Sequence, residues 1–538
     1  MAHKYMQSVM SPQQHFSTVP QVGMERSTFN RSHGRKTTLN GNYLYPIFVD
    51  EVLPGDTHNL SLTTFARLAT QVVPFMDNAF ADVFYFFVPN RLTWVNWERF
   101  CGAQDNPGDS ISYSIPQLPL PDVTVQSIQD YFGLPLGIAS TAVQNPISTL
   151  PFRAYNLIYN SWFKDENLIN NVPVVTDDGG TDSWSNYTIL KRMKRPDYFT
   201  SCLPWPQKGV AVTLPLGSSA PVRGIGKFTN HSFTAGPVSA FETGGVTTSY
   251  ATSSSVDSSS ADNRWAVQQD PNNLGYPNIY ADLSQATAAT INAIRQAFQI
   301  QKLLERDARG GTRYVELLKS HFEVTSPDFR LQRPELIGRG STRINSTPVP
   351  QTSSTDSTTP QGNLASYSTF SHNGVGFTHS FVEHGYIIGL LNIRADLTYQ
   401  QGIQRHWSRR TRYDFYWPAF AHLGEQPVYN REIYAQNTTD DAGVFGYQER
   451  FAEYRYKPSE ITGYFRSTAP TSLDVWHLSE DFGSLPALNS TFISANAPFS
   501  RIVAVEAPYP QFLVDMFFDL KSTRPMPTFS VPGFVDHF

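Results

Sequence analysis

The sequence predicts a mainly β fold: a sandwich of strands drawn from both ends of the chain, with large insertions between strands and few helices. Three observations lead there. Short aromatic and β-branched runs cluster at about residues 43–95 and recur from 384 onward. Proline, 38 in 538 residues, is spread throughout, so loops punctuate the whole chain. Only one segment sustains a long helical period.

Taken in order, residues 1–40 carry Lys4, Arg26, Arg31, Arg35 and Lys36 against a single acid, Glu25, with no helical or strand period. The segment reads as an irregular basic arm. Next, "YLYPIFVDEVLPGD" ends in a Pro-Gly-Asp turn, "HNLSLTTFARL" alternates apolar with polar, and "ADVFYFFVPNRLTW" (81–94) is nearly continuous in rings and β-branched residues. A continuous run suits a strand buried on both faces, an alternating one a strand with one wet face. "PFRAYNLIYNSWF" (151–163) is a helix candidate. Residues 229–262 are Ser/Thr/Gly-rich, almost free of Lys and Arg, and without a period, as expected of a surface excursion. The clearest helix spans 284–309, capped by Ser284, with Ile291, Ile294, Phe298 and Leu304 near one stripe, and Gly310-Gly311 as its stop. A shorter helix over 312–322 follows. Late strands are expected at 384–399, 471–478 and 510–522.

Composition narrows the function. Charged residues make up 16% of the chain, against roughly 25% in typical soluble domains, and aromatics 13%. A surface short of charge and rich in rings suits contact with other protein. The net charge of −5 excludes a general polyanion binder, and two cysteines, Cys101 and Cys202, exclude a disulfide framework. The opening "MAHKYMQSVMSPQQHF" has no apolar core of the secretion type, and runs such as "YIIGLL" (386–391) fall far short of the ~18–20 residues of a membrane span. A soluble, non-secreted chain without membrane insertion is expected. No phosphate loop, G-x-G-x-x-G, H-E-x-x-H, C-x-x-C or G-x-S-x-G is present. The pairs Glu449/Glu453 and Asp515/Asp519 read as solvated or salt-bridged carboxylates. No catalytic residue, metal or cofactor is expected.

Three clusters stand out. "KRMKR" (191–195) holds four cations in five residues. "RHWSRRTRY" (405–413) holds Arg405, Arg409, Arg410 and Arg412 without an acid, interleaved with Trp407. Cations neutralise phosphates and rings stack on unpaired bases, so these segments and the arm are candidate single-stranded nucleic-acid contacts, ranked arm, 405–412, 191–195. The third, "YQERFAEYRYKPSE" (447–460), packs six charged and four aromatic residues into fourteen positions. Its Tyr447, Phe451, Tyr454, Arg455 and Tyr456 are the types enriched where proteins meet.

Several long segments, in order, resemble the major capsid proteins of the microviruses, small icosahedral single-stranded DNA phages, in their gokushovirus branch. They are "ADVFYFFVPNRLTW", "DYFTSCLPWPQKG" (197–209), "QKLLERDARGGTRYVE" (301–316), "HGYIIGLLNIRADLTY" (384–399), "YRYKPSE" (454–460) and "RPMPTFSVPGF" (524–534). The resemblance runs from about residue 12 to the C-terminus. It implies an eight-stranded antiparallel jelly-roll sandwich with long loop insertions, over 41–216 and 284–538. It implies a T=1 shell built through pentamers in the bacterial host cytoplasm around a circular single-stranded DNA genome. It also implies a variable insertion, placed at 217–283, that forms a three-fold protrusion for host attachment, with Phe233, Phe241 and Tyr250 as candidate contacts. Further implied partners are a small internal DNA-binding protein, a DNA pilot protein and a host cell-surface receptor. Two competing classes are a cytosolic β-sandwich carbohydrate-binding protein and a free single-stranded DNA-binding protein. The latter would be expected to carry more positive charge.

Overall fold

The fold is described from a computed structural model covering residues 25–529, apart from 111, 138–145, 354, 356, 359, 506 and most of 213–331, where short strands and residues 291–311 and 314–323 are described. The chain divides into two compact units, Met1–Pro206 with Ser326–Phe538, and Gln207–Thr325.

The first unit is built on one curled antiparallel sheet. Its strands are β1 (Ser27–Asn30), β2 (His33–Leu39), β3 (Leu44–Val52), β4 (Thr57–Leu68), β5 (Ala79–Pro89), β6 (Glu335–Pro350), β7 (Leu364–Ser380), β8 (Gly385–Ala395) and β9 (Phe512–Arg524). The spatial order is β1-β9-β4-β7-β6-β5-β8-β3, with β2 also on β9. The count is nine where eight were implied. The register along β9 continues unbroken from Asn30 opposite Lys521 to His33 opposite Phe518, so β1 and β2 are two halves of one edge strand.

The curl comes from β6. Its first part, through Ile344, pairs with β5, and the rest, from Asn345, pairs with β7, so one strand serves two halves of the sheet. The halves face each other across a shared core: Tyr85 of β5 meets Phe377 of β7 at 5.3 Å, and Phe48 of β3 meets Phe518 of β9 at 5.3 Å. At a bulge in β7 the chain needs glycine twice. Gly374 sits at φ +77°, and a Cβ on Gly376 would collide with the Leu60 carbonyl of β4.

Burial follows the two periodicities. In β4 and β9 every second side chain is buried, and the face opposite the core stays open. In β5, Val83, Tyr85 and Phe87 enter the shared core, while Phe86 and Val88 pack under helix α1 (Leu150–Trp162) with Phe152, Tyr155 and Ile158. The continuous run is therefore buried on both faces, as expected. Tyr155 Oη donates to the Leu44 carbonyl at 2.9 Å, fastening α1 to β3.

Two expectations change. Residues 27–39 are not an irregular arm: they are the edge strand, because β9 offers a full ladder of backbone partners. The expected strand at 471–478 is instead a 3-10 turn over Asp474–Trp476, entered from Thr471 at φ +56°, with the Asp474 N–H donating to Ser472 Oγ at 3.1 Å. The sheet's two longest strands, β6 and β7, were not expected, since Ser, Thr, Gly and Asn dilute their apolar period.

In the second unit, α2 (Ile291–Arg309) ends at Gly310-Gly311, with Gly311 at φ +101°. His321 of α3 (Tyr314–Phe322) bonds Asp307 of α2 at 2.7 Å. The expected start at Ser284 lies outside the described residues. Phe298, placed on an apolar stripe by the sequence, is largely exposed. Within the expected 217–283 excursion, Val238–Phe241 and Thr247–Tyr250 form an antiparallel pair.

One ion cluster fixes β5 to β8. The Asp82 carboxylate, 7% exposed, accepts from Arg192 at 2.7 Å, Arg394 at 2.8 Å and Ser341 at 2.6 Å. Burial alone would push its pKa up, but the Ser341 and Arg394 hydrogen bonds and the charges of Arg394 and Arg192 outweigh it and hold the carboxyl below its ordinary value. A depressed carboxyl stabilises the fold above its unfolded pKa, and that contribution is lost as pH falls through the folded pKa. Asp82→Asn, which leaves two guanidiniums facing each other, is expected to cost about 3–5 kcal/mol in denaturant unfolding at neutral pH. The deficit relative to the parent should shrink at acid pH, below the usual aspartate range.

Candidate assembly and nucleic-acid surface

The arm and the two later clusters were expected to offer free cations. The structure sorts them. Arg31 grips Asp50 of β3 through both guanidinium nitrogens, at 2.6 and 2.7 Å. Arg35 donates to the Ile47 carbonyl at 2.9 Å and to the Tyr131 carbonyl. These arginines sit beside β9 at one end of the strand order, and their acceptors Asp50 and Ile47 belong to β3 at the other end. They therefore clasp the seam where the curled sheet meets itself. The bond and charge of Asp50 push the Arg31 pKa up, while burial pulls that of Arg35 down. Lys36 stays on the open face of the sheet in an exposed pair with Asp515, Arg26 is exposed, and Lys4 lies outside the described residues. In "KRMKR", Arg192 goes to Asp82 and Lys194 to Glu480 at 2.7 Å.

The other two clusters, 405–413 and 447–460, form one structure. A hairpin of Glu425–Tyr429 against Val444–Glu449 points Gln426 and Gln448 inward. Gln426 Nε2 donates to Glu453 at 2.7 Å, and the Phe451 N–H donates back to Gln426 Oε1 at 3.1 Å. To make this turn, Phe451 adopts φ +62°, a conformation costly for a bulky side chain. Glu453, so held, accepts from Arg409 at 3.2 Å, and Arg409 lies over the Tyr454 ring at 4.4 Å. A second buried carboxylate, Glu432, accepts from Tyr198 Oη at 2.8 Å, the Tyr429 N–H at 2.9 Å and Arg405 at 3.1 Å. Burial raises the Glu432 pKa against the opposing charge of Arg405; burial pulls the Arg405 pKa down, but Glu432, Tyr198 and Glu453 outweigh it and leave it raised.

Arg405 and Arg409 are thus committed inside the fold. Trp407, 75% exposed, and the exposed Arg410 and Arg412 are not buried with them. Of the expected contact residues, Phe451 is 4% exposed and belongs to the subunit's own interior, so it is withdrawn as an interface residue. Residue type alone does not show its direction: the chain leaves the strand Val444–Glu449 through a left-handed turn at Phe451, and the ring is buried in the interior. Tyr447 is half-buried, and its backbone bridges to Leu203. Tyr454 and Tyr456 are 53% and 44% exposed, and Arg455 pairs with Glu449 at the surface. Tyr416 packs against both Phe451 and Tyr454. It belongs to a run, "DFYWPAF" (414–420), whose Phe415, Tyr416 and Trp417 are each about half exposed. Sequence reasoning missed this run, although its ring density without a strand period was visible. For the excursion, Phe241 and Tyr250 lie on the paired strands given above, and Phe233 lies outside the described residues.

Glu449 pairs with Arg455, Asp515 with Lys36 and Glu453 with Arg409, so each of the two carboxylate pairs contains salt-bridged members. Among the described residues no helix is long and apolar enough to cross a membrane. Because Glu453 and its arginines are nearly dry, Glu453→Gln is expected to cost about 3 kcal/mol in denaturant unfolding and to open 405–420 to limited proteolysis. Arg412→Ala, on the surface, should stay within about 0.5 kcal/mol of the parent.

Comparison with known proteins then bears directly on the role of this surface. The profile of the family described as "Capsid protein (F protein)" matches residues 17–534. "Capsid protein VP1" of Bdellovibrio phage phiMH2K is 50% identical over 536 residues, covering 98% of each chain. "Capsid protein VP1" of Chlamydia phage 1 is 44% identical, over 96% of this chain and 97% of the relative. That of Spiroplasma virus 4 is 36% identical, over 94% and 95%. A ring-rich surface on a subunit with a complete core of its own, and similarity across nearly the whole length, lead to one assignment: the chain belongs to the phage F-type capsid protein family and is a structural component of a virion.

Proposed function

We propose that this capsid protein assembles, through pentamers in the bacterial host cytoplasm, into a T=1 icosahedral shell that encloses circular single-stranded DNA. The observation that carries the assembly reading is the patch formed by Phe415, Tyr416, Trp417, Tyr454 and Tyr456. These rings are half exposed on a unit whose core is already closed. Each Tyr and Trp brings apolar area with a polar end, which a neighbour can cover without the free subunit aggregating. The low charge of the chain supports the same reading, because subunits that tile a shell have less outer surface to solvate.

In this reading the DNA contacts are the exposed cations and Trp407 of the 405–412 segment, with Lys4, Arg26 and Lys36. The first of these sit where a buried framework holds them, and sequence-independent contact with a polyanion needs only phosphate pairing and ring stacking. The Ser/Thr/Gly-rich 217–283 segment is the host-attachment element that meets the cell-surface receptor. The internal DNA-binding protein and the pilot protein complete the virion.

The triple change Tyr454→Ala, Arg455→Ala, Tyr456→Ala tests the assembly reading. It removes contact area and deletes no buried side chain, so the subunit is expected to fold with an unchanged circular dichroism spectrum yet form no closed particles by electron microscopy. Particles of normal size and yield from that variant would refute it.

A further inference from the structure

Between the 405–414 segment and the hairpin lies a cavity of about 190 Å³, far above the roughly 10–15 Å³ that one water needs. Its lining brings together Arg405, Arg409, Arg431 and Arg450, with Asp414 and Glu453 as its carboxylates. Arg405 and Arg409 are answered by Glu432 and Glu453. Arg431 and Arg450 have no carboxylate at ion-pair distance among the described residues, and Asp414 is already engaged with the N–H groups of Arg410 and Thr411 at 2.9 and 2.7 Å. The Nε atoms of Arg409, Arg431 and Arg450 are buried and without a hydrogen-bond partner.

Neighbouring rings hold these guanidiniums in place. Arg405 and Arg431 both lie over Tyr429, at 5.5 and 5.0 Å, and Arg450 lies over Phe451 at 4.8 Å. Arg450 directly precedes the left-handed turn at Phe451, and both residues line the cavity. Gathering like charges and leaving their Nε donors unmet is unfavourable unless an anion completes the set. Guanidinium forks match the oxygens of phosphate.

We infer that this cavity is a phosphate site for the backbone of single-stranded DNA, with Arg431 and Arg450 as its principal ligands and Trp407 and Tyr413 as adjacent stacking surfaces. Both rings are exposed, and the Tyr413 carbonyl accepts from Arg450 at 3.4 Å. The inference deepens the DNA-enclosing reading and rests on it. Neither Arg431 nor Arg450 was among the residues picked out by the sequence, because each stands alone between unlike neighbours.

The test is fluorescence anisotropy of a labelled oligothymidylate with the full-length unassembled protein, titrated across salt. The R431Q/R450Q pair is expected to bind about tenfold more weakly, with a log–log salt slope shallower by about 0.7 for each phosphate lost. R431K/R450K keeps the charge and loses the fork, so it should lose affinity while keeping the slope. That pair carries the test should the glutamine pair be unstable. Affinity unchanged from the parent in a folded glutamine or lysine pair would overturn the site. So would a glutamine pair that fails to close shells yet binds the oligonucleotide normally, which would make the ligand a neighbouring copy's carboxylate. The parent reading is scored separately, on unaltered particles: if these contain no DNA, enclosure of the genome fails, whatever the anisotropy shows.

Discussion

Two buried carboxylates, Glu432 and Glu453, decide which arginines of the 400–460 region remain available to anything outside the fold. A guanidinium removed from water needs a partner, and near the low-dielectric interior that demand outweighs most others. Glu432, gripped by Tyr198 and the Tyr429 N–H, claims Arg405; Glu453, gripped by Gln426, claims Arg409. Once those two are spoken for, the 405–412 segment has a fixed course. Its remaining cations and rings are displayed rather than folded in. The functional surface is therefore the remainder of an internal pairing scheme.

The same economy closes the sheet. Arg31 and Arg35 span the seam between the edge strand and β3, and Arg192 and Arg394 share Asp82 between β5 and β8. Such pairs contribute little net stability compared with apolar packing, but they specify which strands meet. In a chain with 16% charged residues, much of the arginine complement serves as internal fasteners. The outer surface is then short of charge, which suits a subunit that neighbours will cover.

How much of this could be read beforehand follows from the physics of each signal. β5 and β8, buried on both faces, announce themselves as continuous apolar runs, and β4 as alternation of apolar with polar. β6 and β7 carry Ser, Thr and Asn on a half-wet sheet, so their hydrophobic period is faint, and only their pairing partners make them strands. The 405–413 and 447–460 segments were each noticed for composition. That they are one structure was hidden, because the bond between Arg409 and Glu453 joins positions 44 residues apart. Cation count alone also could not separate Arg31, which has an acid waiting across the seam, from Arg410 and Arg412, which remain exposed. Tyr454 and Tyr456 are exposed where the sequence placed contact, whereas Phe451, two positions beyond Glu449, belongs to the interior.

The central claim is that the rings displayed around 413–417 and 454–456 are covered by copies of the same chain. Hydroxyl-radical footprinting, read by mass spectrometry on the free subunit and on the closed particle, measures that coverage residue by residue. The account predicts that Trp417, Tyr454 and Tyr456 react readily in the free subunit and are strongly protected in the particle. Equal reactivity of these rings in both states would contradict it.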